Sequence, residues 1–305
     1  MTDQLRYHVD GDLVPREEAT VSVEDRGFQY GDAGFETMRA YGGELFRWGA
    51  HAERLEETCE ILALDHGLSR ADLYDRVHET LDANDLDDAY VKLSISRGVQ
   101  PGTLDPQPEV DPTVVVYAKP LPRGGVDGEA VWDDPATLRT VSTRRIPKAA
   151  VPARAKTHNY LNGILARLEL RGTDADEAIM LDSSGNVAEG ATSNVFAVDG
   201  DGLLTPALSG PVLPGITRDT VMDIAQEEGI PVREATFGPE TLRTAEEVFC
   251  TNSTWEIRPV DVVERRSTGS QTESDDAVDG ASVGSGPVTK LLAQSYRERI
   301  EDRFY

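Results

Sequence analysis

The chain is poor in cysteine, poor in lysine and has no long apolar run. Its two cysteines, Cys59 and Cys250, exclude a disulfide framework and a cysteine-based structural zinc site. No apolar stretch approaches the ~20 residues of a membrane span, and the opening MTDQLRYHVDGD lacks the apolar core of a signal peptide. We therefore expect a protein of the cytoplasm with no membrane partner. A basic stripe is missing as well: 55 acidic residues face 30 basic ones, a net charge of −25, which excludes nucleic acid as a partner. The chain carries no Walker loop, GxGxxG, HExxH or GxSxG motif. Its five histidines do not cluster, so no metal site is expected.

What is present is an apolar fraction of 39% in 305 residues, enough for one large domain or two smaller ones. Only five of the basic residues are lysines (Lys92, Lys119, Lys148, Lys156 and Lys290), and the acidic residues are scattered in pairs such as Asp87-Asp88. Such a surface stays hydrated in concentrated salt, and the composition reads as that of a halophile's protein.

Asp10-Gly11 between short apolar runs predicts a hairpin, and Gly42-Gly43 a second one. Helical spacing starts at His51 and again over 69–83, and strands are expected at 89–96 and 113–118. The Pro- and Gly-rich 120–129 predicts a linker between a small domain, 1–119, and a larger one, 130–305. In the larger part, strands are expected near 138–142, 177–182, 194–198 and 247–251, the last followed by the segment 256–263. Leu161, Ile164, Leu165 and Leu168 form an apolar stripe on a helix over about 159–170, expected to be buried. Further helices follow LPGITRD to about 228 and span about 287–302, and 266–286 reads as an acidic loop insertion. The expected fold class is α+β in two domains.

Four segments carry chemistry-bearing residues. Lys156, just before the apolar helix, becomes a usable amine if burial lowers its pKa; a lysine there is otherwise a snorkelling side chain. Glu189 in AEGATSNVF is either a functional carboxylate or an ordinary turn residue. The turn LPGITRD opens a helix whose first amides, at Ile216 and Thr217, suit a phosphate or merely an N-cap. TNSTWEIRP, 251–259, cradles an anion or caps a turn.

In order and spacing, AKTHNYLN, AEGATSNVF, LPGITRDT and CTNSTWEIRPV, preceded by DRGFQYGDAGFETMRAYGGELFRWGAHAERL, resemble the class-IV, fold-type IV pyridoxal-phosphate enzymes. That group holds branched-chain aminotransferases, D-amino-acid aminotransferases and aminodeoxychorismate lyases. The resemblance runs from about Tyr7 to about Val263. It implies a small α/β domain before a larger, mixed, barrel-like one, and a homodimer. It implies pyridoxal 5′-phosphate bound through Lys156 as a Schiff base, with Glu189 at the pyridine nitrogen and Tyr160, on the same helical face as the lysine, at the phenolic oxygen. Arg54, Ile216, Thr217, Asn252 and Ser253 would hold the phosphate.

For the substrate, the resemblance implies Thr254 at the carboxylate and Tyr30 and Phe35 in the pocket. Branched-chain enzymes carry Tyr-x-Arg where this chain has Tyr90-Val-Lys92, and a lysine does not reproduce a guanidinium fork. Arg97, in SISRG, matches the lyases and the D-amino-acid enzymes, as Thr251-Asn252-Ser253 does the lyases. Lys92 and Arg97 are five residues apart, so an undistorted strand points them to opposite faces. The expected activity is transamination between an amino acid and a 2-oxo acid. The alternative is 4-amino-4-deoxychorismate lyase, which eliminates pyruvate on the same scaffold. A cofactor carrier without catalysis would be expected to lose Lys156 or Glu189, and both are present.

Overall fold

Ala89, Val91, Leu93 and Ile95 are buried, while Tyr90, Lys92 and Ser94 between them are half-buried on the opposite face. This alternation makes the strand Ala89–Ser96, labelled β5, in the computed structural model, which describes residues 5–121, 131–265 and 280–305. The chain divides into two compact units. The first holds residues up to Val131 together with Arg154–Asn159 and Ile300–Tyr305; the second holds Trp132–Ala153 and Tyr160–Arg299.

The first unit is built on a six-stranded antiparallel sheet of β1 (Arg6–Val9), β2 (Asp12–Pro15), β3 (Ala33–Tyr41), β4 (Glu44–Leu45), β5 and β6 (Thr113–Pro120), in the order β2-β1-β6-β5-β3-β4. Both predicted hairpins form, with Asp10, Gly11, Gly42 and Gly43 at positive φ. A one-turn helix α1 (Arg26–Tyr30) precedes β3. Helices α2 (Trp48–Ile61) and α3 (Arg70–Asp82) lay Leu55, Cys59, Leu73, Val77 and Leu81 against the apolar face of the sheet. Ser69 and Asp72 close a capping box at the start of α3.

In the second unit nine strands form one sheet in the order β12-β11-β10-β13-β14-β7-β8-β9, with β15 paired to β14. They are β7 (Ala136–Arg144), β8 (Glu177–Leu181), β9 (Val187–Gly190), β10 (Asn194–Asp199), β11 (Gly202–Pro206), β12 (Val232–Ala235), β13 (Glu247–Asn252), β14 (Glu256–Glu264) and β15 (Gly280–Ser282). Helices α4 (Leu161–Leu168), α5 (Ile216–Glu227) and α6 (Pro239–Thr244) complete it. The last helix, α7 (Pro287–Phe304), ends in the first unit, where the Phe304 ring lies 5.9 Å from Tyr41 and 6.1 Å from Phe46.

Three expectations are corrected. The stripe on α4 is not core: Leu161 is 64% and Ile164 53% exposed, with Leu165 and Leu168 also exposed. The helix turns its small side inward instead. Ala166 is fully buried, and a Cβ on Gly163 would come within 3.1 Å of Ala191 O, so only small residues allow this close approach. Second, the segment carrying Lys156 groups with the first unit rather than with 130–305. Third, the expected loop 266–286 ends in β15. Residues 266–279, and 122–130 of the expected linker, lie outside the described residues. Among the described residues no helix is long and apolar enough to cross a membrane.

Candidate active site

Lys156 lies on an extended segment bonded to the start of β3. Thr157 bridges to Gly34, Phe35 N–H donates to Lys156 O at 3.0 Å, and His158 N–H donates to Ala33 O at 2.9 Å. The Lys156 amide in turn donates to Thr58 Oγ1 at 3.0 Å. The residue is thus clamped on both sides of its backbone while its Nζ stands 4.3 Å from the centroid of the Phe35 ring. Since α4 begins only at Leu161, Lys156 and Tyr160 share no helical face, contrary to expectation.

Below this segment lies a fully buried charge cluster. Glu36 on β3 accepts from Arg54 Nε at 2.8 Å and Nη2 at 2.7 Å, and His51 Nδ1 lies 2.7 Å from its Oε2. His51 and Arg54 are one turn apart on α2, so both reach one carboxylate. Burial alone would raise the Glu36 pKa, but the charge of Arg54 and the bonds from Arg54 and His51 outweigh it and hold it at about 2. Burial pushes His51 below the usual histidine range, against the pull of Glu36.

Of the two basic residues on and just after β5, one lies beside the same ring as Lys156. Lys92 Nζ is 4.5 Å from the centroid of the same Phe35 ring, and burial, then the charge of Lys156, lowers its pKa. Arg97 is elsewhere: its side chain is 4% exposed and its guanidinium donates to Asp32 through Nε at 2.8 Å and Nη2 at 3.1 Å, and to the carbonyls of Ala63 and Leu62. Those bonds tie the end of β5 to the end of α2. Arg26 shares the Asp32 carboxylate and lies over the Tyr30 ring at 5.0 Å. Tyr90 keeps to the Lys92 face, its ring 5.7 Å from Tyr117. His158 packs edge-on to Phe35, with Nε2 3.2 Å from Ser94 Oγ; burial and then Lys92 lower it to about 4, so it is neutral at any working pH.

The second unit holds Tyr160, Glu189, Ile216, Thr217, Asn252, Ser253 and Thr254. Glu189, 6% exposed on β9, takes Arg145 Nε on Oε1 at 2.5 Å and the Leu213 amide on Oε2 at 2.8 Å. Asn194 Nδ2 donates to Leu213 O, and a Cβ on Gly215 would fall 2.0 Å from Asn194 Oδ1, so only glycine fits where α5 begins. No side chain caps α5, whose first residues, Ile216 and Thr217, are buried. Asn252 Oδ1 accepts from Thr254 N, Thr254 Oγ1 and Trp255 N, shaping the turn that holds Ser253, and its Nδ2 reaches Thr192 O. Tyr160, the N-cap of α4, is 36% exposed.

These groups fit a phosphorylated pyridine. The second unit offers a buried carboxylate for a ring N–H, and uncapped helix amides and a hydroxyl-rich turn for a phosphate. Beside that turn Thr251 Oγ1 is buried with no hydrogen-bond partner among the described residues, a donor the fold itself leaves unused. Sequence reasoning did not single out Glu36, His51, Thr58, Arg145 or His158. Glu36 was legible, because a carboxylate inside the apolar β3 demands a buried cation.

The family model "Amino-transferase class IV" matches residues 33–263. A putative branched-chain-amino-acid aminotransferase of Methanocaldococcus jannaschii is 36% identical over 294 residues, 96% of each chain. D-alanine aminotransferase of Staphylococcus haemolyticus is 32% identical over 302 residues, 98% of this chain and 99% of that one. The solved branched-chain amino acid aminotransferase of T.th. with pyridoxamine 5′-phosphate superposes with a TM-score of 0.86 at 30% identity, covering 98% of this chain and 95% of that one. With its two sheets, its lysine, its buried glutamate and its uncapped helix accounted for, the chain belongs to the amino-transferase class IV family, as a fold-type IV enzyme that transfers amino groups with pyridoxal phosphate.

Proposed function

We propose that the enzyme moves an amino group between an α-amino acid and a 2-oxo acid, with a dicarboxylic amino acid as one substrate, and that Lys156 is its catalytic amine. The observation that carries the substrate class is the placing of Lys92 and Lys156 over one ring, Phe35. A fixed ammonium near the reacting amine suits a carboxylate on the substrate side chain. When bound, pyridoxal phosphate supplies an aldehyde for the lysine and a ring that takes up the electron pair released at the substrate Cα.

The remaining roles belong to this chain. Lys156 Nζ carries the proton taken from Cα. Glu189, fixed by Arg145 and Leu213 N–H, keeps the proton on the ring nitrogen. The amides of Ile216 and Thr217, the Asn252–Ser253 turn and Arg54 bind the phosphate. Tyr160 donates to the phenolic oxygen, Thr254 receives the α-carboxylate through its backbone, and Tyr30, Phe35 and Tyr90 line the pocket. The exposed α4 stripe supports a homodimer: Leu161–Leu168 contains no acidic residue in a chain with 55 of them, and a second copy covers it. The reading keeps the enzyme in the cytoplasm.

The test is a panel of L-amino acids, D-amino acids and aminodeoxychorismate, scored by cofactor bleaching and by products. Turnover of glutamate or aspartate with a 2-oxo acid is expected. Pyruvate release from aminodeoxychorismate, without amino transfer, overturns the proposal. Borohydride reduction followed by peptide mapping must place the cofactor on Lys156.

A further inference from the structure

Thr58 stands in the last turn of α2, fully buried, and touches neither Lys92 nor Glu189 in any hydrogen bond. Its hydroxyl donates to Arg54 O at 2.9 Å, the local back-bond common to threonine in helices. That bond sets the rotamer and turns a lone pair toward a donor far away in sequence. The donor is the Lys156 amide, 3.0 Å away across 98 residues. The methyl end is fitted too, since a Cβ on Gly34 would lie 2.8 Å from Thr58 Cγ2. One hydroxyl therefore joins the backbone of Arg54, whose side chain is fixed by Glu36, to the backbone of Lys156.

We propose that Thr58 is a positioning residue for the catalytic lysine: its hydroxyl sets where the Lys156 main chain, and so its Nζ, lies relative to Arg54. Without the hydroxyl, the part-buried Lys156 N–H loses this acceptor, and the segment shifts to compensate. The ties to Ala33, Gly34 and Phe35 then hold the segment along β3 only, with nothing fixing it toward α2 at this amide. The inference rests on Lys156 as the amine that takes the cofactor.

The experiment compares Thr58→Val, which keeps the shape and removes the hydroxyl, with Thr58→Ser, which keeps the hydroxyl and removes the methyl. In the cofactor-free protein, hydrogen exchange of the Lys156 amide is expected to speed up at least about tenfold in the valine variant and to stay slow in the serine variant. In the loaded enzyme, the valine variant is expected to lose about ten- to a hundredfold in kcat with KM little changed. The pH midpoint of its visible absorption band is expected to move, and serine to restore both. Thr58→Ala takes the place of valine if the latter does not fold. Wild-type exchange, kcat and midpoint in the hydroxyl-free variant overturn the proposal, as does a serine variant as impaired as the valine one. Peptide mapping after borohydride separates the two readings. Cofactor on another lysine sinks the role of Lys156 whatever the exchange rates show.

Discussion

Arg145 and Glu189 form a part-buried ion pair in which the guanidinium Nε meets Oε1, while Oε2 is taken by a main-chain amide from Leu213. The carboxylate is thus fixed before any ligand arrives, and fixed charge is what a developing charge requires. Glu189→Gln should still bind cofactor but lose about a hundred- to a thousandfold in kcat. Turnover within a few-fold of wild type would assign the ring nitrogen to another partner.

Lys92 makes a claim about pH as well as substrate. Its pKa is lowered by burial and then by Lys156, so its charge disappears at a lower pH than that of an ordinary lysine. As pH rises, KM for a dicarboxylic substrate should climb before KM for an aliphatic one does. Lys92→Met should raise the dicarboxylic KM about ten- to a hundredfold and abolish the difference in pH profile. Loss of aliphatic activity alone would mark Lys92 as packing.

Glu36 governs the acid limb of stability. Its folded-state pKa, about 2, lies below the ordinary 4.5, so its contribution is complete above 4.5 and is lost as pH falls toward 2. Glu36→Gln should therefore melt well below wild type at neutral pH, with the gap narrowing across that window. A gap independent of pH would mean the loss is one of shape rather than charge.

Ile164→Glu places a charge in the middle of the exposed α4 stripe. Light scattering should show the wild type at twice the chain mass and the variant at, or shifted toward, the chain mass. A wild-type protein that is monomeric at micromolar concentration removes the assembly reading.

Net charge of −25 sets a last expectation. Molar chloride should raise the melting temperature by several degrees over dilute buffer, through screening of surface carboxylates. A melting point indifferent to salt would leave the acidity without a stabilising role.

Much of the fold was legible because it is local. β5 was readable from its alternation, the Asp10-Gly11 hairpin from its turn residues, and the start of α5 from Pro-Gly. What escaped was set by tertiary distance. The α4 stripe has the right period for a core helix, yet Gly163 and Ala166 decide which side goes in, because only they permit contact at that range. The spacing of Lys92 and Arg97 could not tell them apart, and only the position of Asp32 reveals which one is committed to the scaffold. Thr58 and Arg145 carry no spacing signal at all, since their partners lie 98 and 44 residues away.

The lysine segment 154–159 and residues 300–305 both belong to the first unit, although the second unit supplies nearly everything between them. During synthesis, a ribosome that has released residues through 131 has made the whole first sheet but not the strip that pairs with Gly34, nor the Phe304 ring that lies against Tyr41 and Phe46. The first unit is thus completed only after the second has emerged, and Lys156 acquires its clamp late. Truncations that spare every residue of the first sheet would still leave this unit with an open edge at Gly34 and an uncovered aromatic cluster, a product suited to chaperone capture rather than to independent folding.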